Sequence, residues 1–271
     1  MSTLSRAQPA LPLASSAFLP GFGVAGTCLS ALEVGGDFYE VLPLSETSLL
    51  LVVADVMGKG LAASLFADSL RTLVRALAKP GIRPSDLLSE INQLMFKDLS
   101  SADMFITLQV VTADLFRRRL NIGNAGHCPL LMCDGSGHSW AVAPDGMPLG
   151  IQMDAGFCEE SSSFPSFGAA LLYTDGLTEA RNSSGQFFGQ DRLEEWFGIA
   201  VGQSQSAEKL RTNLLQRLQA FQEGAPARDD QTFLVLTDET PRTSDLWMNR
   251  ATSLWPIECG HGGGFRPRCS R

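Results

Sequence analysis

The sequence predicts an α+β protein in which strands and helices follow one another irregularly, and three patterns lead to this fold class. Residues 49–54 are an unbroken apolar run rich in β-branched side chains, typical of a strand buried on both faces. Residues 59–78 repeat apolar side chains at helical spacing. From Met104 to about Met132 the pattern is that of β-strands, with 117–122 as a hairpin partner. This order excludes a regular alternating βαβ fold.

Further strands are predicted wherever short apolar stretches are bounded by turn residues. They are expected at 22–32, 36–42, 128–133, 138–142, 156–161 and 232–237. The segment 121–127 is rich in glycine and asparagine, and we therefore expect it to form a loop or bulge rather than a regular strand.

Three further helices are predicted from amphipathic patterns at 85–98, 190–200 and 206–222. The first should begin at Ser85 and Asp86, which are good N-cap residue types, after the preceding helix has ended at Pro80 and Gly81. Residues 1–20 contain three prolines and predict an extended lead-in. Residues 239–271 lack clear periodicity and predict a poorly ordered tail, which leaves 21–238 as the folded domain.

The composition excludes several classes of protein. The 271 residues carry a net charge of −8, from 21 basic and 29 acidic side chains, which argues against a nucleic-acid-binding protein. The six cysteines form no C-x-x-C pair and indicate neither a zinc site nor a disulfide framework. Neither a signal peptide nor an apolar run of the roughly 18 residues that span a bilayer is present, so we expect a cytoplasmic protein without membrane contact.

Aspartates recur at the ends of the predicted strands. Asp55 and Asp175 each end an apolar strand, Asp229 stands just before the last one, and Asp37 lies between Gly36 and a strand-like run. A single aspartate in such a place is commonly a turn or cap residue. Four in one pattern suggest a shared site, and converging carboxylates repel one another unless a cation is bound. Oxygen ligands of this kind favour Mg²⁺ or Mn²⁺.

Five motifs in this order resemble the metal-dependent protein phosphatase (PPM) family, specifically its bacterial SpoIIE/RsbU branch. They are EVGGDFY at 33–39, VADVMGKG at 53–60, NAGH at 124–127, YTDGLTE at 173–179 and RDDQT at 228–232. The resemblance implies a four-layer αββα sandwich of two antiparallel sheets flanked by helices, with two Mn²⁺ or Mg²⁺ ions between the sheet edges. It also implies hydrolysis of a phosphoserine or phosphothreonine monoester by a water activated between the two cations.

The resemblance also implies ligands by motif position. Asp37, Asp55 and the backbone carbonyl of Val56 would hold the first metal, with Asp55 bridging to the second. Asp175 and Asp229 would complete the second site. Asp103 stands where bacterial relatives have a ligand for an optional third metal, although an ordinary loop residue is an equal alternative.

Two departures from the family pattern concern groups other than the metal ligands. Met57 stands where many eukaryotic relatives have a histidine that is a candidate general acid, and no arginine clearly matches their phosphate-binding arginine. Asn124 and His127 are the substrate-binding candidates, and His127 is also a candidate proton donor, although an ordinary loop histidine is the alternative.

The branch implies a phosphorylated STAS-domain anti-sigma-factor antagonist as substrate, in a bacterial partner-switching pathway, and regulation by a partner protein is one option. A phosphatase-fold binding module with weak catalysis is the first alternative. The second is a nucleotide enzyme, because the GGDF run at 35–38 is close to the diguanylate cyclase signature and Gly58-Lys59-Gly60 resembles part of a P-loop. Both nucleotide motifs lack residues that they require.

Overall fold

The computed structural model describes residues 20–203 and 206–241. All helices and strands in these residues belong to the unit of the chain that ends at Thr240. The predicted lead-in and tail lie almost wholly outside the described residues, so the domain boundaries at 20 and 239 stay predictions.

The described residues contain strands and helices in the mixed order that the sequence predicts. The strands are β1 (Phe22–Leu29), β2 (Phe38–Pro43), β3 (Ser48–Val56), β4 (Ile106–Asp114), β5 (Arg119–Ala125), β6 (Leu130–Cys133), β7 (Ser139–Val142), β8 (Glu159–Ser163), β9 (Ala169–Tyr173) and β10 (Gln231–Asp238). The helices are α1 (Leu61–Leu77), α2 (Pro84–Ser101), α3 (Asp175–Thr178), α4 (Gln190–Gly202) and α5 (Ala207–Gln222).

The strands form two five-stranded sheets in which every neighbouring pair is antiparallel. Sheet I has the order β2-β3-β4-β5-β8, and sheet II has the order β1-β10-β9-β6-β7. The last strand of the domain, β10, therefore lies inside sheet II between β1 and β9. Residues from both ends of the described chain thus meet in one sheet.

Strand β3 shows how the layers are built, because its successive side chains alternate between two cores. Leu50, Val52 and Ala54 pack with α1 and α2 on the outer face of sheet I. Leu49, Leu51 and Val53 pack between the two sheets. A third core joins the outer face of sheet II to α4 and α5. Each fully buried leucine or valine contributes about 1.5–3 kcal/mol, so both faces of this strand stabilise the fold. The predicted four-layer αββα sandwich is confirmed.

Two local predictions were wrong. Residues 121–125 are not a loop but the second half of β5, where they pair with 108–112 of β4. Gly123 fits there because a Cβ atom at this position would lie 2.8 Å from the Pro84 side chain, so the glycine lets α2 pack directly on the strand. Helix α2 also begins one residue before the predicted Ser85, with Pro84 in its first turn and Arg83 at the N-cap.

Candidate metal centre

Asp55 lies at the end of β3, opposite Thr107 of β4. Two-residue periodicity places its side chain on the same face as Leu51 and Val53, between the two sheets. Burial, followed by the charges of Asp175 and Asp229, raises the pKa of Asp55 to about 6, and a hydrogen bond with Asp37 opposes this rise. The predicted site residues of both sheets thus act electrostatically on this one carboxyl group.

Asp37 is buried directly before β2, and two glycines make its position possible. A Cβ atom on Gly36 would lie 2.7 Å from the carbonyl oxygen of Val56, so only a glycine allows this loop to approach the end of β3 so closely. The Thr174 hydroxyl donates to Asp37 Oδ2 at 2.8 Å and fixes the carboxyl group. Burial and then the charge of Asp55 raise the pKa of Asp37 well above its usual range.

The loop before Asp37 is held by Asp230, a buried residue that the sequence analysis did not assign to the site. Asp230 Oδ1 accepts a hydrogen bond from the backbone N–H of Ala31 at 2.8 Å. Its Oδ2 accepts from the backbone N–H groups of Gly36 at 2.9 Å and Asp37 at 3.4 Å. A Cβ atom on Gly35 would lie 2.2 Å from Oδ2, which explains the first glycine of the motif. Asp230 therefore positions the loop through its backbone.

Asp175 and Asp229 belong to the sheet II side of the site and are more exposed than Asp37. Asp175 begins the single turn of α3, where partial burial, Glu179 and Asp229 raise its pKa. A Cβ atom on Gly176 would lie 1.8 Å from the carbonyl oxygen of Asp230, so this glycine lets α3 pack against the segment before β10. Strand-end geometry thus brings Asp175 and Asp229 to one edge of the sandwich.

The excess negative charge at this edge fits a divalent cation. The pKa values of Asp37, Asp55 and Asp175 are all raised, in each case by burial and by neighbouring carboxylates. Such groups ionise more easily when a cation compensates their repulsion, and their oxygens suit Mg²⁺ or Mn²⁺. Within residues 20–203 and 206–241, however, no three His, Cys, Asp or Glu side chains stand as a ready-made ligand group. The fit is one of donor chemistry and charge.

Lys59 contacts this set of carboxylates, and the sequence analysis gave it no role, although it lies in the VADVMGKG motif. Its ammonium group forms an ion pair with Asp229 Oδ1 at 2.6 Å and also donates to the carbonyl oxygen of Arg228. It stands in the turn between β3 and α1, where Gly58 and Gly60 have φ values of 90° and 78°. These left-handed conformations explain the two glycines.

Asp103 lies in a different kind of position. It is exposed, follows the C-terminal end of α2 and has a left-handed φ of 52°. Aspartate tolerates this conformation better than most residues, and its backbone N–H bonds back to the Ser100 carbonyl at 3.3 Å. The local geometry is that of a helix-ending residue, and a role in a third metal site stays a prediction.

Asn124 and His127 form a compact turn after β5. Asn124 Oδ1 accepts from the His127 backbone N–H at 2.6 Å, and its Nδ2 donates to the His127 carbonyl at 3.0 Å. The His127 Nδ1 shares a hydrogen bond of 2.7 Å with the Thr107 hydroxyl. Burial lowers the pKa of His127 to about 4, with partial opposition from the Tyr173 backbone. The ring is thus neutral near pH 7 and lacks the extra proton that a cationic general acid would donate.

The motifs could have pointed to three of the missed residues. Asp230 stands beside Asp229 in RDDQT, and Thr174 stands beside Asp175 in YTDGLTE. Both residues lie just outside strands, and the identity of their partners depends on pairing between distant segments. Lys59 likewise stands in the VADVMGKG motif, four residues after Asp55.

A two-sheet sandwich with carboxylates gathered at one edge defines a PPM-like fold with a candidate centre for hard cations. The chain belongs to the SpoIIE family: residues 45–238 match the family model described as Stage II sporulation protein E. This membership decides against the nucleotide-cyclase alternative.

Two proteins of Bacillus subtilis (strain 168) are similar in sequence. Phosphoserine phosphatase RsbP is 28% identical over 207 residues, which cover 75% of this chain and 49% of RsbP. Phosphoserine phosphatase RsbU is 28% identical over 210 residues, which cover 76% of this chain and 60% of RsbU. The chain thus spans about half to three fifths of the length of these relatives.

Solved structures share the fold. The SiaA-PP2C domain of Pseudomonas aeruginosa has a TM-score of 0.69 at 22% identity, with 82% of this chain and 88% of that chain covered. The RsbU and RsbW domains of Rv1364c from Mycobacterium tuberculosis give 0.69 at 25% identity, with coverage of 87% and 68%. RsbX, solved in complex with magnesium, gives 0.60 at 16% identity, with coverage of 79% and 95%. Among the described helices of this chain, none has the length and apolarity needed to cross a bilayer.

Proposed function

We propose that this chain is a metal-dependent phosphatase that hydrolyses phosphoserine or phosphothreonine in a protein substrate. The observation that supports this most directly is the gathering of Asp37, Asp55, Asp175 and Asp229 at one edge, with raised pKa values for the first three. Membership of the SpoIIE family and similarity to two phosphoserine phosphatases support the same reaction.

The proposed ligands divide between the two sheets. Asp37, Asp55 and the Val56 carbonyl would hold one cation, and Asp55 would share the second with Asp175 and Asp229. When bound, the two ions would activate a water for attack on phosphorus and neutralise charge on the phosphoryl oxygens. The magnesium in the RsbX structure supports Mg²⁺ as one candidate, and Mn²⁺ is the other.

The chain's own residues would orient this centre. Thr174 fixes the Asp37 carboxyl group, and Asp230 fixes the loop that carries it. Met57 offers no proton at the position of the eukaryotic histidine, and the buried, neutral ring of His127 makes it a weak candidate as an acid. The leaving group would therefore take its proton from solvent at the centre. Asn124 bonds to the backbone of its own turn, so a structural role fits it better than substrate binding.

The proposed physiological substrate is a phosphorylated STAS-domain anti-sigma-factor antagonist. The similarity to RsbU and RsbP supports this class of substrate, as does the similarity to a protein in which RsbU and RsbW domains occur together. A regulatory protein partner would suit such a pathway.

The test is hydrolysis of a small aryl phosphate and of a phosphoserine STAS domain by the purified chain, with Mn²⁺, with Mg²⁺ and with EDTA. We expect activity that depends on the metal and that falls by at least about 100-fold in Asp175→Asn, since loss of a ligand should exceed the roughly 10- to 100-fold effect of losing a residue that only orients a ligand. The variant should fold normally, because removal of one charge relieves repulsion at the site.

Asp154→Asn is the matched control, because Asp154 is exposed in the loop before β8. Its activity should equal that of the unmodified chain. Metal-independent activity, or full activity in Asp175→Asn, would contradict the proposed site. Mn²⁺ binding without turnover of either substrate would favour the alternative of a non-catalytic binding module.

A further inference from the structure

The ammonium group of Lys59 supplies a positive charge beside Asp229 and Asp175, which form the outer half of the centre. It lies 2.6 Å from Asp229 Oδ1, and its charge also acts on Asp175, whose pKa it lowers against the larger effects of burial and neighbouring acids. Asp229 and Asp175 are the two side chains that the proposed function assigns to the second cation alone. One lysine thus compensates both.

The surroundings allow this ammonium group to leave. The side chains of Lys59 and Asp229 are 37% and 47% exposed, so both water and a dissolved ion can reach the pair. Around Gly58 and Gly60, which flank Lys59, a Cβ atom would find nothing within 4 Å. The long lysine side chain therefore has free space on both sides of its attachment point. An exposed pair of this kind is weak, typically below about 1 kcal/mol.

No ion pair of the described residues joins a basic side chain to Asp37 or Asp55, which form the inner half of the centre. Asp37 is bonded to the Thr174 hydroxyl, and its pKa and that of Asp55 are raised mainly by burial. Arg71, the basic residue on the Phe38 side, stacks over the Phe38 ring and pairs with Glu40. Lys59 therefore compensates the negative charge of Asp175 and Asp229 and not that of Asp37 and Asp55.

We propose that Lys59 is an exchangeable counter-ion at the second cation subsite. Its ammonium group pairs with Asp229 in the metal-free protein and is displaced when a divalent cation binds. The inference rests on the proposed function, because it needs the cation subsite formed by Asp175 and Asp229. Its consequence is that the chain limits its own affinity for the second ion. The inner subsite would then fill first, and the outer one only at a higher ion concentration.

The experiment is Mn²⁺ titration by calorimetry, together with thermal unfolding of the metal-free and Mn²⁺-saturated full chain. Lys59→Met removes the charge and keeps an unbranched side chain of similar length. We expect the weaker Mn²⁺ site to bind about three- to tenfold more tightly in this variant, in keeping with the modest strength of an exposed ion pair. The Tm of the metal-free protein should fall, and the Tm increase caused by Mn²⁺ should become larger.

Two variants separate charge from general damage. Lys59→Arg retains the positive charge and should bind Mn²⁺ like the unmodified chain. Lys97→Met, at an exposed position on α2, should change neither the affinity nor the Tm increase. Unchanged or weaker binding of the second ion by Lys59→Met would overturn the proposed exchange of Lys59 for a cation and would leave the proposed function intact. An unmodified chain that binds no Mn²⁺ would overturn both the exchange and the proposed function.

Discussion

Strand β10 has a buried aspartate near each end, and the two ends differ in how negative charge is compensated. Asp238, its last residue, accepts hydrogen bonds from the backbone N–H groups of Phe167 at 2.7 Å and Thr240 at 2.9 Å. It also pairs with Arg118 at 2.7 Å. Burial raises the pKa of Asp238, but the bonds from Thr240, Phe167 and Arg118 outweigh it, so the pKa is lowered overall.

Asp230 precedes the other end and accepts backbone N–H bonds in a similar way, from Ala31, Gly36 and Asp37. No arginine is bonded to its carboxylate among the interactions of the described residues. Instead it contributes to the raised pKa values of Asp37 and Asp55, beside the larger effects of burial.

This difference separates an end of the strand at which a carboxylate is paired within the chain from an end next to the proposed cation site. At Asp238 the carboxylate is paired with Arg118 and with two backbone N–H groups. Near Asp230, burial and then neighbouring carboxylates raise the pKa values of Asp37 and Asp55, and the proposed cations would balance this charge.

The largest effect is expected from removal of the two aspartates in turn. Asp230→Ala and Asp238→Ala should each lower the free energy of unfolding by about 3 kcal/mol, because both leave buried backbone N–H groups without acceptors. Only Asp230→Ala should also weaken Mn²⁺ binding, by at least about tenfold, because it releases the loop of Asp37. Urea unfolding and calorimetry measure the two quantities. Equal loss of Mn²⁺ affinity in both variants would mean that the two ends do not differ.

A smaller effect is expected in the pH dependence of the metal-free protein. The folded-state pKa of Asp55 is raised to about 6 from 3.8, so between about pH 4 and 6 the unfolded chain ionises while the folded protein stays protonated. Rising pH therefore removes stability across this window, and a cost of at most about 3 kcal/mol is present above it.

The Asp55→Asn side chain has no charge to bury, so without metal this variant should be up to about 3 kcal/mol more stable than the unmodified chain at pH 7. The difference should shrink toward zero near pH 4. Denaturant unfolding at several pH values measures it. A difference that stays constant with pH would show that Asp55 is not electrostatically strained in the folded protein.

The smallest effect is expected for Thr174→Val, which keeps the shape of the side chain but removes the hydroxyl that donates to Asp37. We expect Mn²⁺ affinity to fall about tenfold, as for other groups that orient a ligand. Thr237→Val is the control, because Thr237 is buried in the same sheet and its hydroxyl bonds to Glu239, at the Asp238 end of β10. Equal affinity in the two variants would rule out an orienting role for Thr174.

Periodicity was sufficient to predict most of the strands and helices, whereas their arrangement as an αββα sandwich was implied by the family resemblance. The run at 49–54 is buried on both faces because it lies between the helix layer and the second sheet, as its continuous apolar character indicates. The loop or bulge predicted at 121–127 was wrong for 121–125. Gly123 and the asparagines there have low strand propensity, and the prediction relied on that propensity. In the folded chain, close packing of Pro84 against Gly123 overrides that propensity. No local pattern reports a contact between segments so far apart.

The candidate site was predictable only in part for the same reason. The aspartates at strand ends were visible as a pattern, and the motif order added the assignment to two cations. The partners of these aspartates were not visible, because Thr174 reaches Asp37 across 137 positions and Lys59 reaches the segment of Arg228 across 169. Such pairs arise from the topology of the two sheets and leave no spacing rule in the sequence.

The hydrogen bond from Gly36 to Asp230 joins residues 194 positions apart, and this separation has a consequence for synthesis. A ribosome delivers the chain from its N-terminus, so Asp37 and Asp55 emerge long before the residue that fixes their loop. Sheet II also lacks an inner strand until β10 has left the exit tunnel, because β10 separates β1 from β9. A nascent or truncated chain that lacks β10 therefore contains Asp37 and Asp55 without the residue that fixes the loop of Asp37.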